Sequence, residues 1–110
     1  MAIKANLIID QGSDYAVTFD LTDSSGAVFD LTNYTGRASM RKSPFSTTSK
    51  DFTVTVTNAT SGSLTLSMTS SYTENITAGR YLYDVEIVSS SNTVTRVAQG
   101  IATVSPEITR

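Results

Sequence analysis

Apolar and polar residues alternate with period two along most of this chain. Ile3, Ala5, Leu7 and Ile9 alternate with Lys4, Asn6 and Asp10, with Ile8 as the interruption. Tyr15, Val17, Phe19 and Leu21 alternate with Ala16, Thr18, Asp20 and Thr22. The same pattern recurs in Tyr34, Gly36, Ala38 and Met40, in Phe52, Val54 and Val56, and in Leu64, Leu66 and Met68. Tyr81, Tyr83, Val85 and Ile87 carry it on, and a last run covers residues 93–104. Successive strand residues point to opposite faces, so each run presents one apolar face and one face of hydroxyls and charges. Turn-forming clusters at residues 10–14, 23–26 and 61–63 separate the runs. About seven strands at this spacing predict an all-β fold of two antiparallel sheets packed face to face. At this length the whole chain, 1–110, reads as a single β-sandwich domain. A small barrel is the geometric alternative.

Two stretches leave the pattern. Residues 41–50 (RKSPFSTTSK) read as an exposed loop around Pro44, with Phe45 as its apolar anchor. Residues 68–79 are too long for a hairpin, and Ser71 followed by Glu74 fits a capping box. One helical turn near 71–76 is therefore expected, an irregular crossover being the alternative.

The last hairpin can be read by parity. Tyr81, Tyr83, Val85 and Ile87 are odd-numbered, as are Val97 and Ile101 on the return strand. Opposed residues share a face, so uniting these sets requires an odd-numbered loop. Residues 90–92 then form it, with Asn92 in the left-handed conformation, Ser89 opposite Thr93 and Glu86 opposite Arg96.

Composition narrows the chemistry. His, Cys and Trp are absent, which removes His-dependent nucleophile systems, thiolate redox chemistry, disulfides and ordinary zinc sites. Carboxylates and hydroxyls remain, and they predict no enzyme and no cofactor. Asp10, Asp14, Asp20, Asp23 and Asp30 crowd the first third, but their spacing supplies no calcium loop. They read as solvated strand ends and turn formers, and no metal site is expected. Net charge is -2, so no basic field is expected to hold nucleic acid. An apolar run of about 18 residues and a secretory leader are both missing, so no membrane partner is expected. The 16 serines and 18 threonines suit a pleated, hydroxyl-faced sheet. Arg37, Arg41 and Lys42 put positive charge toward one strand end and, with Pro44 and Phe45, are the candidate partner contacts. The alternatives are a solvated face for the charges, and a Phe45 that folds back on its own domain.

The run LTDSSGAVFDLTNYTGRASMRKS, then GSLTLSMTSSYT, then AGRYLYDVEIVSSSNTVTRVAQGIATVSPEIT, resembles a domain of tailed-bacteriophage virion proteins. It is similar to the N-terminal β-sandwich of the baseplate upper protein family and to related small phage tail proteins. The likeness covers residues 7–109 and lies in the order of turn and strand punctuation. In that order come D-x-x-G at 23–26, DLT at 30–32, YTxR at 34–37, GxLxLxLS at 62–67, AGxY at 78–81 and a closing strand at 100–106. The resemblance implies an immunoglobulin-like sandwich and a structural role in the virion, with other virion proteins as partners and no catalytic residues. No fibre stalk is expected to follow this domain. The comparison therefore implies an adaptor of the tail, baseplate or fibre-attachment region, present as a symmetric homo-oligomer. A capsid decoration or neck protein of the same fold is the alternative, and a carbohydrate-binding module a more remote one. Lacking Cys, such a domain can fold in the reducing bacterial cytoplasm before assembly into the virion.

Overall fold

A computed structural model describes residues 3–23 and 25–108. Ser24 of the expected turn at 23–26, and the outermost residues of the expected 1–110 domain, lie outside the described residues. Within them run β1 (Ile3–Lys4), β2 (Leu7–Asp10), β3 (Tyr15–Asp20), β4 (Thr35–Arg41), β5 (Lys50–Asn58) and β6 (Ser63–Met68). The helical turn α1 (Ser70–Thr73) and the long strands β7 (Gly79–Val88) and β8 (Val94–Ser105) complete the chain. The fold is all-β. Hydrogen bonding follows the order β1-β8-β7-β4-β5-β6-β3, with β2 also on β8.

This topology departs in two ways from two separate antiparallel sheets. β5 belongs to both halves: Lys50 and Phe52 oppose Met40 and Ala38 on β4, while Thr53 and Val54 oppose Ser67 and Leu66 on β6. The sheet is thus continuous and curls over its own apolar side. The N-terminal strands β1 and β2 pair parallel to β8. No hairpin joins them to β8, so nothing imposes the antiparallel sense that a short connection would. The turn after β2 carries the chain to β3, which pairs with β6 in the other half.

The alternation predicts the faces well. Phe19, Leu64, Leu66, Tyr83 and Val85 are buried in one core cluster, with Val17, Val54 and Val56 packed against it. Opposite that core, Thr18 shares a 2.9 Å hydrogen bond with Thr65, its partner across the β3-β6 ladder. Ile8, the residue that broke the first run, stands 70% exposed on β2.

The β7-β8 turn forms as parity requires. Asn92 has φ 67°, the Ser89 N–H donates to the Thr93 carbonyl at 3.0 Å, and Glu86 opposes Arg96. The apolar face of β8 follows only as far as Val97, which is buried as expected. A bulge shifts the register between Glu86, opposite Arg96, and Val85, opposite Ala98. Val97 is the extra residue. Beyond it Ala98, Ala102 and Val104 are buried, and Ile101 is turned outward opposite Leu82. Small residues belong here, because Tyr81 and Tyr83 lie opposite and Ala5, just after β1, comes close. A Cβ on Gly100 would overlap the Ala5 carbonyl oxygen.

The helical turn forms at Ser70–Thr73, one residue ahead of the expected span, and without the capping box. Its N-cap position is Thr69, which makes no side-chain cap hydrogen bond. The Ser70 N–H instead donates to the Asp14 carboxylate at 2.6 Å. A carboxylate from the β2-β3 turn thus does the work assigned to Ser71 and Glu74. The Thr73 hydroxyl accepts from the Gly12 N–H at 3.0 Å and lies 2.9 Å from the Ser13 carbonyl, joining the same two segments.

Candidate interaction surface

An open groove of about 650 Å³ lies on the outer face of the sheet, across β1, β8, β7 and β4. Strand register puts Ser39 and Arg41 of β4 beside Asp84 and Leu82 of β7, and these beside Gln99 and Ile101 of β8. Lys4 of β1 and Asn6 border the far side, and Ser43 and Pro44 form a wall. The floor is apolar where Leu82, 41% exposed, meets Ile101. Three cations and one carboxylate line the groove, giving it net positive charge. Arg96 Nε lies 3.3 Å from Asp84 Oδ2, which leaves Lys4 and Arg41 in excess.

The 42–49 loop is held beside this groove by its own hydrogen bonds. Arg41 Nη1 donates to the Ser46 carbonyl at 2.8 Å, and the Ser46 N–H donates to the Ser43 carbonyl at 3.1 Å. Both bonds leave the tip of the loop pointing outward. Phe45 is 92% exposed there, so it does not fold back on its own domain.

The predicted partner contacts divide. Arg41 and Pro44 line the groove, with Phe45 on the loop above. Lys42 turns away from it, its Nζ 4.4 Å from the ring centre of Tyr81. Arg37 sits further back on β4 and pairs with Glu86 at 2.8 Å, its cross-strand neighbour. Glu86 therefore opposes Arg96 in register but spends its carboxylate on Arg37. Lys4, Leu82, Arg96 and Ile101 are groove residues that sequence reasoning missed. Leu82 carried a signal, as an even-numbered apolar residue within an odd-numbered apolar run. Ile101 was masked by the β8 bulge.

The titratable groups show where charge is held. Hydrogen bonds from the Ser25 hydroxyl and N–H, with the Ala27 N–H, hold Asp23 below the usual carboxylate range. The Thr32 hydroxyl and N–H do the same for Asp30. Burial, and to a lesser degree Tyr15, pushes the Tyr83 hydroxyl up to about 12. That hydroxyl donates to the Ala5 carbonyl at 2.6 Å. Among the described residues, no group of three or more His, Cys, Asp or Glu side chains is placed to hold a metal ion. What the groove offers is an apolar floor with cationic donors at its rim.

No family model and no curated protein matches the chain. Among solved structures it is similar to the internalin-like protein of Listeria monocytogenes, at 18% identity with a TM-score of 0.49. That match covers 96% of this chain and 28% of the Listeria protein. At that distance neither fold nor function carries across.

Proposed function

We propose that this chain is a bacteriophage virion structural protein, a small adaptor of the tail, baseplate or fibre-attachment region. It performs no chemistry and assembles in multiple copies with other virion proteins. In this reading the curled sheet is an immunoglobulin-like sandwich whose parallel N-terminal strands are an addition to the antiparallel core. The supporting observation is the order of the virion-like segments and their agreement with the backbone. Asp23 and Asp30 each close a local turn through Oδ1, Gly62 precedes β6, Gly79 opens β7, and residues 100–105 end β8. The groove and the outward Phe45 fit the assembly role, since an exposed aromatic beside a partly apolar, charged surface is a common interface anchor.

Cryo-electron microscopy of the phage particle that encodes this chain is the direct test. Density for the domain at the tail or baseplate, in a ring of copies, is expected. A lattice of copies on the head would move the assignment to capsid decoration. Absence of the chain from purified particles would end the virion reading.

A further inference from the structure

The groove and the segment 20–34 carry opposite charge. The groove lies beside Arg41 and Leu82, at the C-terminal end of β4 and near the start of β7. At the opposite end, residues 20–34 carry Asp20, Asp23 and Asp30 and contain no Lys or Arg. Asp20 opposes Ser63 at the start of β6, and the Leu31 N–H donates to the Ala59 carbonyl at 2.8 Å. This acidic loop is therefore pinned beside the β5-β6 turn. Three bonds fix its conformation further: Ser63 Oγ to Asp20 at 2.6 Å, Ser25 N to Asp23 at 2.9 Å and Thr32 N to Asp30 at 2.9 Å. Val28, 56% exposed, projects from the same loop.

We infer that the groove receives the acidic loop of a second copy of this chain, in a head-to-tail contact. A single copy cannot make it, because the two surfaces sit at opposite ends of the strands. Lys4 and Arg41 face Asp20, Asp23 and Asp30 across the contact while Arg96 keeps Asp84 neutralised, and Val28 reaches the floor of Leu82 and Ile101. Hydrogen bonds hold Asp20, Asp23 and Asp30 before docking, which limits the conformational entropy lost. A contact between two different patches is heterologous, and it propagates into a closed ring or an open filament. This deepens the assembly reading above by naming the partner and the two surfaces.

Sedimentation of three forms of the full chain tests it. One form is wild type, one carries Lys4→Gln with Arg96→Gln in the groove, and one carries Asp20→Asn, Asp23→Asn and Asp30→Asn. Asparagine keeps the Oδ1 acceptor that holds each turn, and thermal melts check that all forms fold. Wild type is expected to grow beyond a dimer at low salt. Its association should weaken about tenfold or more between about 0.1 M and 1 M salt, over which the Debye length falls from about 10 to 3 Å. Each variant alone should associate about tenfold or more weakly than wild type. Mixed in equal amounts, the two variants should form a dimer that stops at two, since one partner supplies an intact groove and the other an intact loop.

A wild type that stays monomeric up to about 1 mM overturns the inference. So does a loop variant that associates like wild type, or a mixture that yields no dimer. Should a variant fail to fold, association of the wild type that ignores salt overturns it equally. A monomeric wild type would leave the virion reading standing, because that reading rests on location in the particle. Absence from particles with head-to-tail association intact would remove the virion reading alone.

Discussion

Replacing Thr73 with valine keeps the shape of the side chain and deletes one hydroxyl, at a residue that is fully buried. That hydroxyl accepts from the Gly12 N–H at 3.0 Å, and it lies 2.9 Å from the Ser13 carbonyl and 3.2 Å from that of Ser70. It has one proton, so it can donate to only one carbonyl at a time. The variant loses two hydrogen bonds and leaves Gly12 N–H and Ser13 C=O facing a methyl group. A lost bond costs about 1 kcal/mol and a stranded buried partner about 1–3 kcal/mol, the latter reduced here because Gly12 is half-buried and Ser13 exposed to water. With partial relaxation the total is about 2–4 kcal/mol. In a domain of this length 1 kcal/mol moves Tm by about 4 °C, so Thr73→Val should melt about 8–16 °C below wild type. Thr73→Ser keeps the hydroxyl and loses a methyl group, for about 1 kcal/mol. Thermal and urea unfolding of the three proteins would measure both effects. A valine variant within about 1 kcal/mol of wild type, or one more stable than the serine variant, would refute the view that this hydroxyl joins α1 to the β2-β3 turn.

Phe19→Ala, which empties a buried aromatic site shared by β3 and β6, should cost about 3–5 kcal/mol in denaturant unfolding. Phe45→Ser should change stability by no more than about 0.5 kcal/mol, because the ring is 92% exposed; a larger loss would mean that the ring packs on its own domain. Gly100→Ala should push β1 away from β8, since the new methyl group meets the Ala5 carbonyl. Faster hydrogen exchange at the Ala5 amide, which donates to Gln99 at 3.0 Å, would report it, and unchanged protection would contradict it. Alkaline pH should also destabilise the fold. Tyr83 is raised to about 12 and burial raises Tyr81 and Tyr15 in the same direction, so the folded state favours their protonated forms. This contribution is complete below an unfolded pKa of about 10 and is lost as pH rises toward about 12. Tyrosinate absorbance followed alongside circular dichroism would test it, and ionisation of all three at ordinary pH with the fold intact would refute it.

On the strands β3, β5, β6 and β7, local periodicity was enough to determine which faces turn inward. Phe19, Leu64, Leu66 and Val85 are buried because a strand alternates its faces whatever its neighbours are. The three-residue loop before Thr93 and the left-handed Asn92 also formed as expected, although the bulge removed Ile101 from the set whose parity pointed to them. The groove was legible only in part: the loop from Arg41 with Pro44 and Phe45 stood out by composition, while Lys4, Leu82, Arg96 and Ile101 did not. Tertiary structure decided what depends on distant partners. Asp14 caps α1 from 56 residues away, which no local capping pattern encodes. Arg37 takes Glu86 because β4 happens to lie beside β7. The parallel docking of β1 and β2 on β8, the division of β5 between two neighbours and the bulge that turns Ile101 outward arise from how strands meet across the core. Alternation specifies which face of a strand is apolar. Which strand lies alongside, and in what register, is settled only when bulky residues such as Tyr81 and Tyr83 find small ones such as Ala98, Gly100 and Ala102 opposite them.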